Sequence, residues 1–185
     1  MEESMHVLFL RFVSVLALAV WTGSLVALGG AAPVMFSVLE THFPSGGREL
    51  AGLLFGQIFG RSQYVMWGCG VAILASLGAR AALGPRPRHF KLRIWTAAAM
   101  LAASLATVFV IAPRIEAIRS STPGAVANLP DADPRKQSFG QLHGLSNGVM
   151  LATLLAGVAL LWTEVRDGLD DGRGRQHTDN FVAHS

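Results

Sequence analysis

The segment Phe12–Ala32 has the sequence FVSVLALAVWTGSLVALGGAA and contains no charged residue. A helix needs about 20 such residues to cross the roughly 30 Å of hydrocarbon in a bilayer. Three further apolar segments of comparable length follow it along the chain. Lipid offers the backbone no hydrogen-bond partner, and a helix satisfies its own backbone groups. The sequence therefore predicts an all-α integral membrane protein, a four-helix bundle.

The composition supports lipid as the surrounding medium. Hydrophobic residues make up 51% of the 185-residue chain and charged residues 15%, whereas a soluble domain has about 25% charged residues. The net charge is +3, and the basic residues lie at the edges of the apolar segments, next to anionic headgroups. We therefore expect the lipid bilayer, and no nucleic acid, as a partner.

The predicted spans cover residues 6–32, 63–83, 92–112 and 139–162. Pro33 is expected to end or kink the first span, and the third span is expected to stop at Pro113. After a turn at residues 44–47, residues 48–59 have helical periodicity, which predicts an amphipathic helix in the first outer loop. This helix lies on the membrane surface or leads into the second span. Residues 1–165 then form one membrane domain, and residues 166–185 a mobile polar tail.

The distribution of Lys and Arg predicts the orientation. The face that holds both termini and the middle connection carries nine basic residues, and the opposite face carries six. Basic residues concentrate in the cytoplasmic connections of inner-membrane proteins. We expect a multi-pass protein of the bacterial inner membrane with both termini in the cytoplasm.

Each span carries a thin stripe of polar and small residues, here called the polar seam. Its main members are Arg11, Ser14, Thr22, Ser104, Thr107, Ser146 and Asn147. Such residues let membrane helices pack closely and hydrogen-bond to each other. The alternative is that the seams face a polar cavity or substrate path. Gly68 and Gly70 lie off the seams and are predicted to mark a partner surface.

A soft-metal site is a second hypothesis for the same spans. Met66 and Cys69 stand one helical turn apart, and His143 is expected in the same outer half of the bilayer. Thioether, thiolate and imidazole together suit Cu(I). The competing interpretation is that methionine fills the core and that the single cysteine has no role.

No cofactor or enzymatic activity is predicted. His6 and His143 lie at opposite ends of the bilayer in the predicted topology, so they cannot ligate one haem iron. The sequence contains no HExxH, Walker A, GxSxG or dinucleotide-binding motif, and no pair of acidic residues within the spans.

Two spans also share a pattern that suggests a duplicated helical hairpin. The first has a basic residue near its start and Ala32-Pro33 at its end, and the third has Arg93 and Ala112-Pro113 in matching places. The alternative is that proline simply ends helices.

Several short motifs resemble those of the TMEM205-like, or DUF4149, family of four-span membrane proteins, which is distantly similar to CopD-type copper resistance membrane proteins. They are Trp21-Thr22-Gly23, Ala32-Pro33-Val34-Met35-Phe36, Phe55-Gly56-Gln57-Ile58-Phe59, Pro113-Arg114-Ile115 and Phe139-Gly140-Gln141-Leu142-His143-Gly144-Leu145-Ser146-Asn147. The resemblance covers about residues 8–162. It implies a fold and a membrane location, and it brings no established activity or catalytic residue.

The sequence thus leaves two functional hypotheses open. One is a protein that handles a small solute or a soft metal ion. The other is a structural or accessory subunit that packs against another membrane protein. Because four spans rarely enclose a transport path alone, the first hypothesis leans on a homo-oligomer or a membrane protein partner.

Overall fold

The computed structural model describes residues 2–83 and 88–183, and it describes side chains within 5–83 and 88–167. This part of the chain contains helices and no β-strand. The α-helices are α1 (Glu2–His42), α2 (Gly47–Leu83), α3 (Phe90–Ala106), α4 (Ala112–Ser120) and α5 (Pro134–Ala183). A π-helical turn, Thr107–Ile111, joins α3 to α4, and a 3₁₀ turn, Val126–Asn128, lies in the connection to α5.

Four helical segments are long and apolar enough to cross a membrane: Met5–His42, Gly47–Leu83, Phe90–Ser120 and Pro134–Asp167. The predicted all-α fold with four spans is therefore confirmed. Each segment is longer than the roughly 20 residues that hydrocarbon requires. The helices thus extend beyond the apolar spans that the sequence predicted.

The first outer connection is shorter than predicted. Helix α1 continues through Pro33 to His42, and α2 begins at Gly47, immediately after a turn at residues 43–46. Gly46 has φ 102°, and a Cβ on Gly47 would lie 2.1 Å from the Leu39 carbonyl oxygen, so this turn requires glycine at both positions. Residues 48–59 are not a separate loop helix. They are the first part of α2, because neither proline nor a turn separates them from the second span.

The third span does not stop at Pro113, contrary to the sequence prediction. Pro113 has no N–H and its ring crowds the preceding turn, which breaks regular α-helical bonding. The π-helical turn before it adapts to this, since Ala112 donates its N–H to the carbonyl of Thr107, five residues back. The helix then continues as α4 to Ser120.

The N-terminus of α5 is capped by Asp133. Its carboxylate Oδ1 accepts a hydrogen bond from the Arg135 backbone N–H at 2.8 Å, and Pro134 occupies the first helical position. The Arg135 side chain also hydrogen-bonds this carboxylate and holds its pKa below the ordinary value. At the other end α5 reaches Ala183, so the predicted mobile tail continues the helix to that residue, and residues 184 and 185 lie outside the described residues.

The four spans form a square in which consecutive helices are antiparallel. Helix α1 packs against α2 and α5, and α3 packs against the same two helices. The core between them is apolar and includes Leu18, Trp21, Met66, Ile73 and Leu77. Many large apolar side chains point outward, as expected for a lipid-facing surface.

The two glycines predicted to mark a partner surface differ in position. Gly68 is exposed, and no atom lies within 4 Å of an added Cβ. Gly70 is buried, and a Cβ there would lie 2.7 Å from the Trp21 ring. The prediction is therefore wrong for Gly70, which lets α2 approach α1 closely.

Candidate functional site

A buried ion network lies at the end of the bundle that holds both termini. At its centre is Glu164, which is 2% exposed. Its carboxylate accepts hydrogen bonds from Arg80 Nη1 at 2.8 Å and from Arg93 Nη1 at 2.9 Å. The guanidinium of Arg11 donates to the Glu164 backbone carbonyl. One residue of α5 therefore contacts an arginine from each of the other three spans.

A second acid completes the network. Asp167 accepts a hydrogen bond from Arg93 Nη2 at 2.6 Å, and the same nitrogen lies 3.2 Å from the Thr163 carbonyl oxygen. Buried charges are stable only when they are paired and hydrogen-bonded. The network therefore fixes the relative positions of the four helices at this end.

Sequence reasoning missed this network. It placed Arg11 in the polar seam, counted Arg80 toward orientation, used Arg93 for orientation and for the duplicated-hairpin pattern, and gave Glu164 no role. The sequence did contain a signal for this network. An acidic residue follows the fourth span, and each of the other three spans carries an arginine at the same side of the membrane. In a membrane such a charge requires a partner.

The positions of Arg80 and Glu164 also fit the duplicated-hairpin hypothesis. They lie 84 residues apart, and the same offset relates Gly56 to Gly140 and Met66 to Met150. The second and fourth spans thus share a register in which arginine in one copy corresponds to glutamate in the other. Under the duplication hypothesis, matching positions of the second and fourth spans thus carry opposite charges, and these two side chains pair.

A small pocket lies deeper in the bundle, among residues of all four spans, and is here called the polar pocket because serine, threonine and glutamine side chains interrupt its mostly apolar wall. Its cavity volume is about 20 Å³. On one side Ser104 donates a hydrogen bond to Gln63 Oε1 and accepts one from Trp67 Nε1 at 3.0 Å. The lining residues are Trp21, Leu25, Phe59, Gln63, Met66, Ser104, Thr107, Ser146, Val149, Met150 and Thr153.

Other seam residues bond within or between helices. Ser14 and Ser76 share a hydrogen bond of 2.6 Å between α1 and α2. Thr22 donates to the Leu18 carbonyl of its own helix, and Thr107 donates to the Ala103 carbonyl. Of these three, the Ser14–Ser76 bond is the kind that holds membrane helices together. Asn147 differs, because it is exposed on the outer face of α5.

The three predicted metal ligands occupy different environments. Met66 is buried and lines the polar pocket, whereas Cys69 is half-buried against the core. His143 is exposed and stacks on Phe139 with ring centroids 6.1 Å apart. Neither Cys69 nor His143 lines the pocket. Among the described residues, no group of three or more His, Cys, Asp or Glu side chains could hold a metal ion. Metal binding by Met66, Cys69 and His143 stays a prediction.

Comparison with known proteins identifies the family. The family model described as "Domain of unknown function (DUF4149)" matches residues 16–123. The chain belongs to the DUF4149 family. This confirms the DUF4149 resemblance, while the likeness to TMEM205-like and CopD-type proteins stays a prediction. No curated protein and no solved structure matches this DUF4149 chain. The matched region includes Arg80 and Arg93 and ends before α5, so Glu164 lies outside it.

Proposed function

We propose that this DUF4149 protein is a membrane scaffold or accessory subunit without enzymatic activity, which packs against another transmembrane helix along the outer face of α5. The observation that carries the proposal is the exposure of two polar side chains, His143 and Asn147, on this face. Within the described chain Asn147 forms no side-chain hydrogen bond. A partner helix would supply one.

The depth of these residues in the membrane supports the proposal. Trp162 is 67% exposed, and tryptophan favours the membrane–water interface. A span of about 20 residues counted back from Trp162 reaches His143. Asn147 then lies within hydrocarbon, where an unpaired amide is unfavourable and helix–helix hydrogen bonds form instead.

The shape of the same face also favours helix association. Gly140, Gly144 and Gly148 recur at intervals of four residues, and no atom lies within 4 Å of a Cβ added to any of them. Small residues at this spacing let two membrane helices approach closely. The fourth span is also the least buried, with 17% of its most apolar window inside the bundle against 28–39% for the other three.

The alternative, handling of a small solute or soft metal by one chain, has less support. The pocket inside the bundle has a volume of about 20 Å³, which is space for about one water molecule. His143 and Asn147 do not line it. A transport role therefore requires a path formed between copies or with a partner.

Site-specific photocrosslinking in native membranes tests the scaffold proposal. We expect p-benzoylphenylalanine at position 144 to form a protein adduct, because that position faces the partner helix. The matched control is position 95, where Trp95 is 73% exposed on α3, and we expect only lipid adducts there. The mass of the adduct distinguishes a second copy from another membrane protein.

The variant Asn147→Leu provides a second measurement in the same experiment. Removing the amide is expected to reduce the yield of the adduct at position 144 several-fold, whereas Tyr64→Leu, on the exposed surface of α2, should leave the yield unchanged. Lipid adducts alone at position 144 would contradict the proposal.

We further propose that both termini face the cytoplasm of a bacterial cell and that the chain lies in its inner membrane. Arg11, Arg80 and Arg93 are engaged in the ion network, but exposed basic residues remain at the same end. Among the side chains that the structure describes, they are Arg88, Lys91 and Arg166, which support the positive-inside orientation. A fluorescent protein that matures only in the cytoplasm should fluoresce when fused after Ser185. Fluorescence only from a fusion inserted in the connection at residues 121–133 would reverse the orientation.

A further inference from the structure

We infer that the polar pocket inside the bundle is a binding site for a single water molecule, held by Trp21 and its polar neighbours. Trp21 is 1% exposed, and its indole Nε1 donates no hydrogen bond within the described chain. Burying an N–H without an acceptor is unfavourable, so nearly all such groups in folded proteins have a partner. Trp21 lines the pocket, and we place the missing acceptor there.

The size of the pocket restricts the ligand to one small molecule. A cavity needs about 10–15 Å³ of water-accessible volume to hold a water, and this one has about 20 Å³. This volume matches one water molecule more closely than an organic solute.

The wall offers the two to four polar partners that a buried water requires. The Gln63 amide nitrogen and the Ser146 hydroxyl form no hydrogen bond within the described chain. Thr107 and Thr153 each donate to a carbonyl of their own helix, which leaves lone pairs on their hydroxyl oxygens to accept from the water. The water would therefore link residues of all four spans.

The same wall is unfavourable for a cation, although the thioethers of Met66 and Met150 line it. Among its lining residues none is a carboxylate, thiolate or imidazole. The unpaired N–H groups of Trp21 and Gln63 present the positive ends of their dipoles. The wall supplies no negative charge to stabilise a buried cation, whereas a water oxygen accepts hydrogen bonds from these N–H groups.

NMR of the full-length protein in nanodiscs, with its tryptophan indoles labelled with ¹⁵N, tests the inference. We expect a cross-peak between the Trp21 Nε1–H and a long-lived water, and a downfield shift typical of a hydrogen-bonded indole. The internal control is Trp67, whose Nε1 donates to Ser104 and should show no water cross-peak. A Trp21 indole without a water cross-peak overturns the inference, whatever its shift.

Two substitutions of one residue assign the signal to the pocket. Ser146→Val fills the space and is expected to abolish the Trp21 water cross-peak. Ser146→Ala removes the neighbouring hydroxyl proton but keeps the space, so the peak should persist. The matched control Ser24→Val, at a residue whose hydroxyl donates to Val20 on the same helix, should leave it unchanged. Persistence of the peak in Ser146→Val would overturn the inference, and the wild-type spectrum decides if that variant does not fold.

Discussion

Replacing Glu164 with glutamine is expected to lower the free energy of unfolding by about 3–5 kcal/mol, the range found when one partner of a buried ion pair is removed. Glutamine has nearly the same shape as glutamate, so the change isolates the charge. Arg80 and Arg93 are 6% and 2% exposed, so the loss of this carboxylate would leave charge buried without its partner. Thermal unfolding in detergent, followed by circular dichroism, measures the loss.

The matched control for this prediction is Glu40→Gln. Glu40 also pairs with an arginine, Arg48, at 3.1 Å, but the two side chains are 42% and 65% exposed. Exposed pairs contribute at most about 1 kcal/mol. Equal destabilisation by the two variants would show that Glu164 is not the centre of a buried network.

Substitution of a single arginine tests whether Glu164 contributes more to stability than one of its arginine partners. Arg80→Met removes one ion pair and leaves Glu164 bound to Arg93 at 2.9 Å. We expect a smaller loss of stability than for Glu164→Gln, which leaves both guanidiniums without this carboxylate. Reversing the pair, as Arg80→Glu with Glu164→Arg, should not restore stability, because the new arginine would stand beside Arg93 and Arg11.

The existence and number of the spans could be predicted from the sequence because hydrocarbon thickness fixes their minimum length and excludes charges from them. The same rule placed the ends wrongly. It treats a charge or proline as a boundary, whereas α1 continues through Pro33 and the third span passes Pro113 by means of a π-helical turn. Helices can extend into water once the bundle holds their other end.

The candidate sites could be predicted only in part, because hydropathy does not specify how each helix is rotated about its axis. Arg11 and Ser104 were identified as polar residues of the spans, but their partners Glu164 and Gln63 were not. The partner of a side chain depends on which faces of two helices meet. Gly68 and Gly70 illustrate this, because they are two residues apart and yet Gly68 faces outward while Gly70 contacts Trp21. One sequence does not determine that choice.

A close contact between α1 and α5 leads to the second large prediction. A Cβ added to Gly157 would lie 2.5 Å from Thr22 Cγ2 and 3.2 Å from Met100 Cε. Met100 is flexible, but Thr22 is β-branched and its hydroxyl is bonded to the Leu18 carbonyl, so its methyl cannot turn away at low cost. Gly157→Ala should therefore force α1 and α5 apart and lower the free energy of unfolding by about 1–3 kcal/mol.

A control and a rescue make this prediction specific. Gly68→Ala places the same methyl group where no atom lies within 4 Å, and we expect no loss, or a gain of up to about 1 kcal/mol from helix propensity. Thr22→Ser deletes only the opposing methyl and keeps the hydroxyl, so adding it to Gly157→Ala should recover most of the lost stability. Because the two residues touch, their effects are expected to be non-additive. Additive losses in the double variant would mean that α1 and α5 do not meet at this point. The rotation of these helices about their axes would then differ from the one described.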